Sequence, residues 1–192
     1  MGKRSDFERD PKDFYETPSK AVDILVPHLT GIKRYIEPFY GRGKLTSALE
    51  RHGLELVHGF ELQTEEELNI MPGTHENVEF GVDVLSKNGS SPGWWWRAHF
   101  APDAVIMNSP WRRDILHPAI EKFMHVAPTW ALFDADWAHT VQAKELLPHC
   151  SHIVATGRHK WIPDSKYTGK DNSCWHRFDV QHTEGPRFYG RA

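Results

Sequence analysis

The four consecutive residues Asn108, Ser109, Pro110 and Trp111 combine side chains that suit recognition of a planar amine. They follow an apolar run, Ala104 to Met107, that predicts a short buried strand. Open α/β sheets bind ligands at the carboxyl ends of their strands, where this tetrapeptide would lie. An amide accepts hydrogen bonds from an exocyclic amine while an indole stacks on the ring, so these residues could hold an extruded nucleobase. The alternative is structural, with Asn108 starting a turn and Trp111 filling the core.

Glycines and acidic residues at other predicted strand ends indicate a ligand site at the same edge. Gly41 and Gly43 follow the predicted strand 34–37, and Glu61 and Asp83 end the next two strands. Glycines at such a turn let the backbone approach a ligand, and an acid at the end of the next strand can accept both hydroxyls of a ribose. The spacing therefore admits an adenosine-containing cofactor.

Two other phosphate-binding patterns fit this segment less well. A nicotinamide dinucleotide site favours a third glycine where Thr46 stands. A P-loop requires Ser or Thr after its lysine, but Leu45 follows Lys44, and Pro38 occupies the place of its first glycine. These departures argue against both patterns.

The composition is that of a globular protein. At 192 residues, the chain is most simply one domain over residues 1–192. Its formal net charge of -3 argues against a protein that coats nucleic acid. Cys150 and Cys174 lack C-x-x-C spacing, so we expect two buried thiols in a reducing compartment. The trio His149, Cys150 and His152 lacks ligand-like geometry, and we expect no metal ion. Without an apolar stretch of membrane-spanning length, we expect a cytoplasmic protein with no membrane partner.

Charge is distributed unevenly along the chain. Segment 52–86 has no lysine or arginine but eight acidic residues. Basic residues gather in the second half, and if the fold brings them together they could follow a phosphate backbone. Scattered surface charge is the alternative. The residues that we expect to contact nucleic acid are Arg112, Arg113, Arg158, Lys160, Lys166 and Lys170.

Strand-like and helix-like segments alternate, which predicts an α/β fold with a mostly parallel sheet. After a polar N-terminal arm (1–13), seven strands are predicted at 34–37, 54–60, 78–82, 104–107, 130–133, 152–155 and 174–180. Helices are predicted near 18–26, 44–52, 115–124 and 141–147. Two segments resist this scheme, Trp94 to Trp96 and a long basic loop at 157–172. A loop of that length in a compact domain is typically functional or disordered.

Together these motifs resemble the class I S-adenosylmethionine-dependent methyltransferases, and within them the amino-methylating DNA methyltransferases. Residues 14–18 (Phe-Tyr-Glu-Thr-Pro) look like the family's N-terminal cofactor-binding motif, and residues 37–43 look like its glycine-rich motif. Residues 108–111 are similar to its catalytic motif, and segment 157–171 looks like small phage-encoded adenine methyltransferases. Two departures stand out: Ser109 replaces the first proline of the catalytic motif, and no separate target-recognition domain is visible.

The resemblance implies a Rossmann-like fold with a seven-stranded, mostly parallel sheet, an antiparallel last strand and helices on both faces. It implies that Gly41 and Gly43 border the cofactor, while Glu37 helps hold its amino acid portion. Glu61 would bind the ribose hydroxyls and Asp83 the adenine amino group. Further residues implied at the cofactor are Phe14, Tyr15, Thr17, Pro18, Pro38, Phe39 and Asn108.

At the catalytic motif, the resemblance implies that Asn108 Oδ1 and the Ser109 carbonyl accept hydrogen bonds from the target amine. Pro110 completes the motif, and Trp111 would stack on a base turned out of the duplex. Serine retains the backbone carbonyl through which that position acts.

The resemblance therefore implies methyl transfer from S-adenosylmethionine to adenine N6 in DNA. Cytosine N4, RNA and protein amides present similar planar amines and remain alternatives. So does a catalytically silent protein that keeps the fold as a cofactor- or nucleic-acid-binding module. DNA is the expected partner, in the host cytoplasm if the protein is phage-encoded, and the motifs leave monomer and homodimer open.

Overall fold

A computed structural model describes residues 15–73, 75–86, 93–162, 166 and 168–191. Its strands are β1 (Arg34–Glu37), β2 (Glu55–Glu61), β3 (Val78–Phe80), β4 (Ala104–Met107), β5 (Thr129–Asp134), β6 (Cys150–Gly157), β7 (Ser173–Phe178) and β8 (Arg187–Tyr189). Its α-helices are α1 (Ser19–Leu25), α2 (Lys44–Glu50), α3 (Gly93–Phe100) and α4 (Arg113–Phe123). Short 3₁₀ helices occupy Val26–His28, Ala135–His139, Val141–Ala143 and Leu147–His149. None of the helices in these ranges has the length and apolarity needed to cross a membrane.

The strands form one sheet in the order β3-β2-β1-β4-β5-β7-β6-β8. Pairing is parallel from β3 through β5, and β7 inserts antiparallel between β5 and β6. The prediction of an α/β fold with a mostly parallel sheet is thus confirmed, and the seventh strand is antiparallel as expected. An eighth strand, β8, was not predicted; it pairs parallel with β6 at the edge of the sheet.

Alternation along each strand sends side chains to two cores, one on each face of the sheet. Tyr35 packs with α1 and α2, whereas its neighbour Ile36 packs with α4 and Trp96. The indole of Trp175 donates from Nε1 to the Ala21 carbonyl at 2.8 Å, which ties β7 to α1. Helices therefore cover both faces, as the sequence predicts.

One local prediction was wrong, and one helix was missed. The expected helix at 141–147 is replaced by short 3₁₀ helices: Ala143 and Leu146 pack in the core, but Val141 stays 84% exposed, so the segment lacks one continuous apolar face. The tryptophan segment belongs to α3, which was not predicted. Trp96 is buried and stacks on Phe60 at 4.2 Å between ring centroids, while Trp95 stacks on His99.

His176 is a fully buried imidazole inside one of the cores. Its ring stacks on Phe133 with centroids 3.9 Å apart. Burial lowers the pKa of His176 from 6.5 to about 3, because the core disfavours the charged form. The native state therefore requires this ring to be neutral.

This burial predicts a pH-dependent loss of stability. Between its unfolded and folded pKa, His176 binds a proton only when unfolded, so stability falls as pH drops below 6.5, by up to about 1.4 kcal/mol per pH unit. We expect His176→Phe to remove about 2 kcal/mol of the wild-type loss between about pH 7.5 and about pH 5, measured by urea denaturation. Phe133→Leu, which disturbs the same stack but keeps the imidazole, should retain the wild-type slope. Parallel curves for wild type and His176→Phe would contradict this account.

Candidate active site

A cavity of about 700 Å³ opens at the carboxyl ends of β1, β2 and β4. This volume is within the usual range of small-molecule sites, roughly 300–1,000 Å³. The sequence-predicted residues in its lining are Tyr15, Thr17, Glu37, Pro38, Phe39, Gly41, Glu61, Asp83, Asn108, Pro110 and Arg112. The fold thus brings residues from widely separated motifs to one place.

Of the predicted catalytic and cofactor residues, Pro18, Gly43, Ser109 and Trp111 are not part of this lining, and Phe14 lies outside the described residues. The lining also includes residues that sequence reasoning did not select: Glu16, Tyr40, Arg42, Lys44, Leu45, Leu62, Gln63, Glu67, Val82, Val84, Leu85, Asp114 and Ile115. Most of them directly follow a strand end or flank a predicted site residue. Widening each motif by two residues would have found all of them except Glu67.

The turn after β1 depends on glycine at both predicted positions. Gly41 and Gly43 adopt positive φ, 57° and 73°, which other residues rarely adopt. A Cβ on Gly43 would also overlap the hydroxyl of Tyr40. Gly43 therefore shapes the turn by making room for Tyr40, while Gly41 faces the cavity.

The carboxylate of Glu61 joins the loops that follow β1 and β2. Its Oε2 accepts from the Gly41 N–H at 2.7 Å, and its Oε1 accepts from the Gln63 N–H at 2.9 Å. The side chain is almost fully buried at the cavity wall. Each carboxylate oxygen can accept a second hydrogen bond. Glu61 is thus fixed in an orientation that suits a ligand with two adjacent hydroxyls.

Glu37 is a buried carboxylate whose charge is not balanced by a nearby cation. It accepts a hydrogen bond from Thr46 Oγ1 at 2.5 Å, and Tyr35 in turn donates to Thr46. Among the described residues it forms no ion pair, and burial raises its pKa well above the ordinary value, with repulsion from Glu61 adding to the effect. A positively charged ligand would favour the ionised form of this carboxyl, so the position suits a cationic group.

Lys122 supports the loop that carries Asp83. Its ammonium donates to the Val84 carbonyl at 2.6 Å and lies 4.9 Å from the ring centroid of Trp96. Burial lowers the pKa of Lys122, although the nearby Asp83 carboxylate opposes that shift. The Leu85 N–H donates to Asp83 Oδ1 at 2.9 Å, which closes the turn. The hydrogen bond from Lys122 to the Val84 carbonyl then holds this turn in place.

Asn108 connects the end of β4 to the segment before α1. Its Nδ2 donates to the Tyr15 carbonyl at 3.0 Å and to Thr17 Oγ1 at 3.1 Å. Both donor hydrogens of the amide are therefore used within the protein. The amide oxygen is left as the group that can accept a hydrogen bond from a ligand at the cavity.

Two of the remaining residues of the tetrapeptide, Ser109 and Trp111, are packed inside the protein. Ser109 is 3% exposed, and its hydroxyl has no hydrogen-bond partner among the described residues. Trp111 is half-buried against the core, and its ring meets Trp161 edge to face, with centroids 5.4 Å apart. The structural alternative for Trp111 is thus partly correct, because the indole packs on the core beside the cavity.

The predicted nucleic-acid contacts are on the surface. Arg112, Arg113, Arg158, Lys160 and Lys166 are exposed, and Lys170 is half-buried. Arg112 forms an ion pair with Asp114 at 2.6 Å. The hydrogen bond from the Arg112 guanidinium lowers the pKa of Asp114.

Other polar groups that could carry chemistry have structural explanations. Asp134 Oδ1 accepts from the Asp136 N–H at 3.0 Å, so it caps the following 3₁₀ helix. Cys150 and Cys174 are free, buried thiols, as expected, and burial raises the pKa of Cys150 to about 12. Within the ranges that the structure describes, no three His, Cys, Asp or Glu side chains gather to hold a metal ion.

The chain matches no protein-family model, and no curated protein sequence is significantly similar to it. Solved structures do share its fold. A candidate RNA methyltransferase from Pyrococcus horikoshii superposes with a TM-score of 0.61 at 19% identity, covering 88% of this chain and 87% of that one. A type I restriction-modification methyltransferase subunit from Streptococcus thermophilus gives a TM-score of 0.62 at 12% identity, covering 92% and 47%.

The M protein of the type I restriction enzyme EcoKI gives a TM-score of 0.54 at 12% identity, covering 92% of this chain and 48% of that protein. This chain thus spans about half the length of either restriction-modification subunit. At identities this low the superpositions show a shared fold, which is a Rossmann-like α/β fold.

The support under the Asp83 loop can be tested by removing the lysine. We expect Lys122→Met to lower the free energy of unfolding by about 1–2 kcal/mol, because the Val84 carbonyl loses its donor and Trp96 loses a cation. Amide hydrogen exchange should accelerate at Leu85 and Ser86. Lys144→Met, which removes an exposed lysine, is the control and should change neither quantity. Unchanged exchange at those two amides in Lys122→Met would show that the lysine does not hold the loop.

Proposed function

We propose that this protein transfers a methyl group from S-adenosylmethionine to the exocyclic N6 amine of adenine in DNA. The observation that carries the proposal is the oriented amide of Asn108, which stands at the same cavity as the two buried carboxylates Glu37 and Glu61. Hydrogen-bond acceptors for an amine and anionic groups for a cationic, ribose-bearing cofactor thus lie together. The shared methyltransferase fold supports this assignment.

The residues of the cavity suit this cofactor chemically. S-adenosylmethionine supplies a methyl group that its sulfonium already activates, so the protein needs chiefly to bind and align the reactants. Glu61 would accept from the ribose hydroxyls, and Glu37 would offset the positive charge of the amino acid portion. Asp83 would accept from the adenine amino group, with Pro38 and Phe39 adding apolar surface to the cavity.

Cofactor binding should depend on Glu61. At a hundredfold excess over its dissociation constant, S-adenosylmethionine should stabilise the wild-type protein by about 2.7 kcal/mol, seen as a thermal shift. Glu61→Ala should lose most of that shift, because the ribose acceptor disappears and the Gly41 turn loosens. Glu79→Ala, which removes an exposed carboxylate outside the cavity lining, is the control and should keep the full shift. An unaltered shift in Glu61→Ala would contradict the assigned cofactor position.

The target amine would be held by two acceptors. Asn108 Oδ1 and the Ser109 carbonyl accept its two hydrogens, which draws the nitrogen lone pair out of conjugation with the base. That lone pair would bond to the methyl carbon supplied by S-adenosylmethionine, the electrons of the carbon–sulfur bond would remain on sulfur, and one proton of the amine would leave to water. The acceptors stabilise the positive charge that develops on nitrogen, so a strong base is not required.

Charge and topology favour nucleic acid as the substrate. The acidic segment 52–86 contributes β2 and β3 at one end of the sheet, whereas the basic residues after 157 belong to the β6, β7 and β8 end. A surface divided in this way presents one cationic side to a phosphate backbone. The restriction-modification subunits that share the fold favour DNA, and RNA is the second candidate, because one structural neighbour is a candidate RNA methyltransferase.

The proposed catalytic role of Asn108 can be separated from its structural role, which is to position the chain before α1. We expect Asn108→Ala to lower kcat by about 100-fold or more, since it removes the amide oxygen that stabilises the developing charge. Thr17→Val removes one of the two acceptors of Nδ2 but leaves Oδ1 in place, so its kcat should fall by less than about tenfold. Both variants should bind S-adenosylmethionine in calorimetry. Equal losses in the two variants would show that Asn108 acts only by holding Thr17.

A further inference from the structure

The loop between β6 and β7 brings a second indole to the catalytic tetrapeptide. Trp161 meets Trp111 at an interplanar angle of 90°, with ring centroids 5.4 Å apart. Trp111 packs against the core on one face of the sheet, whereas Trp161 packs against the core on the other. The pair therefore joins the two cores at the carboxyl edge, beside the cavity that Pro110 and Asn108 line.

The described part of this loop is shaped around Trp161. The Gly169 N–H donates to the His159 carbonyl at 2.7 Å, which closes the loop on itself. A Cβ on Gly169 would lie 2.9 Å from Cδ1 of Trp161 and 3.2 Å from the His159 carbonyl oxygen, so only glycine fits there without displacement. The buried ring of His159 meets the ring of Trp161 edge to face, with centroids 5.7 Å apart. Two residues of the loop, His159 and Gly169, thus fix the position of one indole.

A fixed neighbour changes what Trp111 can do. An indole that stacks on a base gains more when its ring is already oriented, because less rotamer freedom is lost on binding. Edge-to-face aromatic pairs supply that orientation. The loop also carries Arg158 and Lys160, both exposed, so the segment that fixes the indole also presents positive charge to a nucleic-acid backbone.

We propose that Trp161 is a positioning residue for the target base: it orients the indole of Trp111, so that the β6–β7 loop serves for base capture. This inference rests on the proposed function. It also explains why Gly169 is tied to Trp161 and His159.

The test compares Trp161→Ala, Trp161→Phe and Gly169→Ala with the wild type on duplex DNA containing the adenine that the wild type methylates. The control is Ile162→Ala, which changes the adjacent, 40% exposed side chain. We expect Trp161→Ala and Gly169→Ala to lower kcat/KM on the duplex by about tenfold, in line with the loss of one base–aromatic stack. Trp161→Phe should recover most of the rate, and affinity for S-adenosylmethionine should stay unchanged in all variants.

A second substrate distinguishes base capture from a general loss of structure. When the target adenine faces a mismatched base, the cost of extruding it is smaller, so the defect of Trp161→Ala should shrink to less than about threefold. The fluorescence rise of 2-aminopurine at the target position should be weaker with Trp161→Ala than with the wild type.

The outcomes separate the two proposals. A wild type that methylates no nucleic acid would overturn both the proposed function and this inference. An active wild type with Trp161→Ala equally active on the duplex would overturn the inference alone. An equal defect on paired and mismatched targets would also overturn it, since the indole would then act on something other than base capture.

Discussion

The carboxylate of Glu61 joins two parts of the candidate site, because it accepts hydrogen bonds from the backbone of the loops that follow β1 and β2. Its contact with the Gly41 N–H fixes the turn after β1, and its contact with the Gln63 N–H fixes the chain after β2. The positive φ of Gly41 and the placement of Tyr40 follow from that turn. A buried carboxylate with two backbone donors is held in one orientation, so it can serve a ligand without reorganisation.

The other groups of the site depend on the same parallel sheet. The carboxyl ends of β1, β2 and β4 meet at one edge, which brings Glu37, Glu61 and Asn108 to one cavity although they are far apart in the chain. Each side chain is then oriented by a neighbour from another element. Thr46 of α2 holds Glu37, and the chain before α1 holds the Asn108 amide. These contacts fix the orientation of the carboxyl group of Glu37 and the amide of Asn108.

The sequence predicted the place of a residue in the fold well where that residue follows a strand end. Apolar runs marked the strands, and the polar residue after each run was a natural candidate. It predicted less well where a contact joins distant segments. The support of Asp83 by Lys122 and the contact of Trp111 with Trp161 depend on packing between elements, which spacing along the chain does not encode.

Two elements escaped prediction for similar reasons. β8 is three residues long and leaves Phe188 65% exposed, so it lacks the apolar alternation of a central strand. α3 begins with consecutive tryptophans, whose pattern has no helical period, and its place is set by Trp96 stacking on Phe60. Both elements are specified by their neighbours more than by their own sequence.

The most direct measurement is the identity of the methylated product. The protein is incubated with S-adenosylmethionine carrying an isotopically labelled methyl group and with unmethylated DNA, RNA or a mixed protein substrate. Each polymer is then hydrolysed and analysed by mass spectrometry. The account predicts labelled N6-methyladenine from DNA with the wild type and almost none with Asn108→Ala. Label in cytosine, in RNA alone or in protein, or an equal yield from Asn108→Ala, would contradict it.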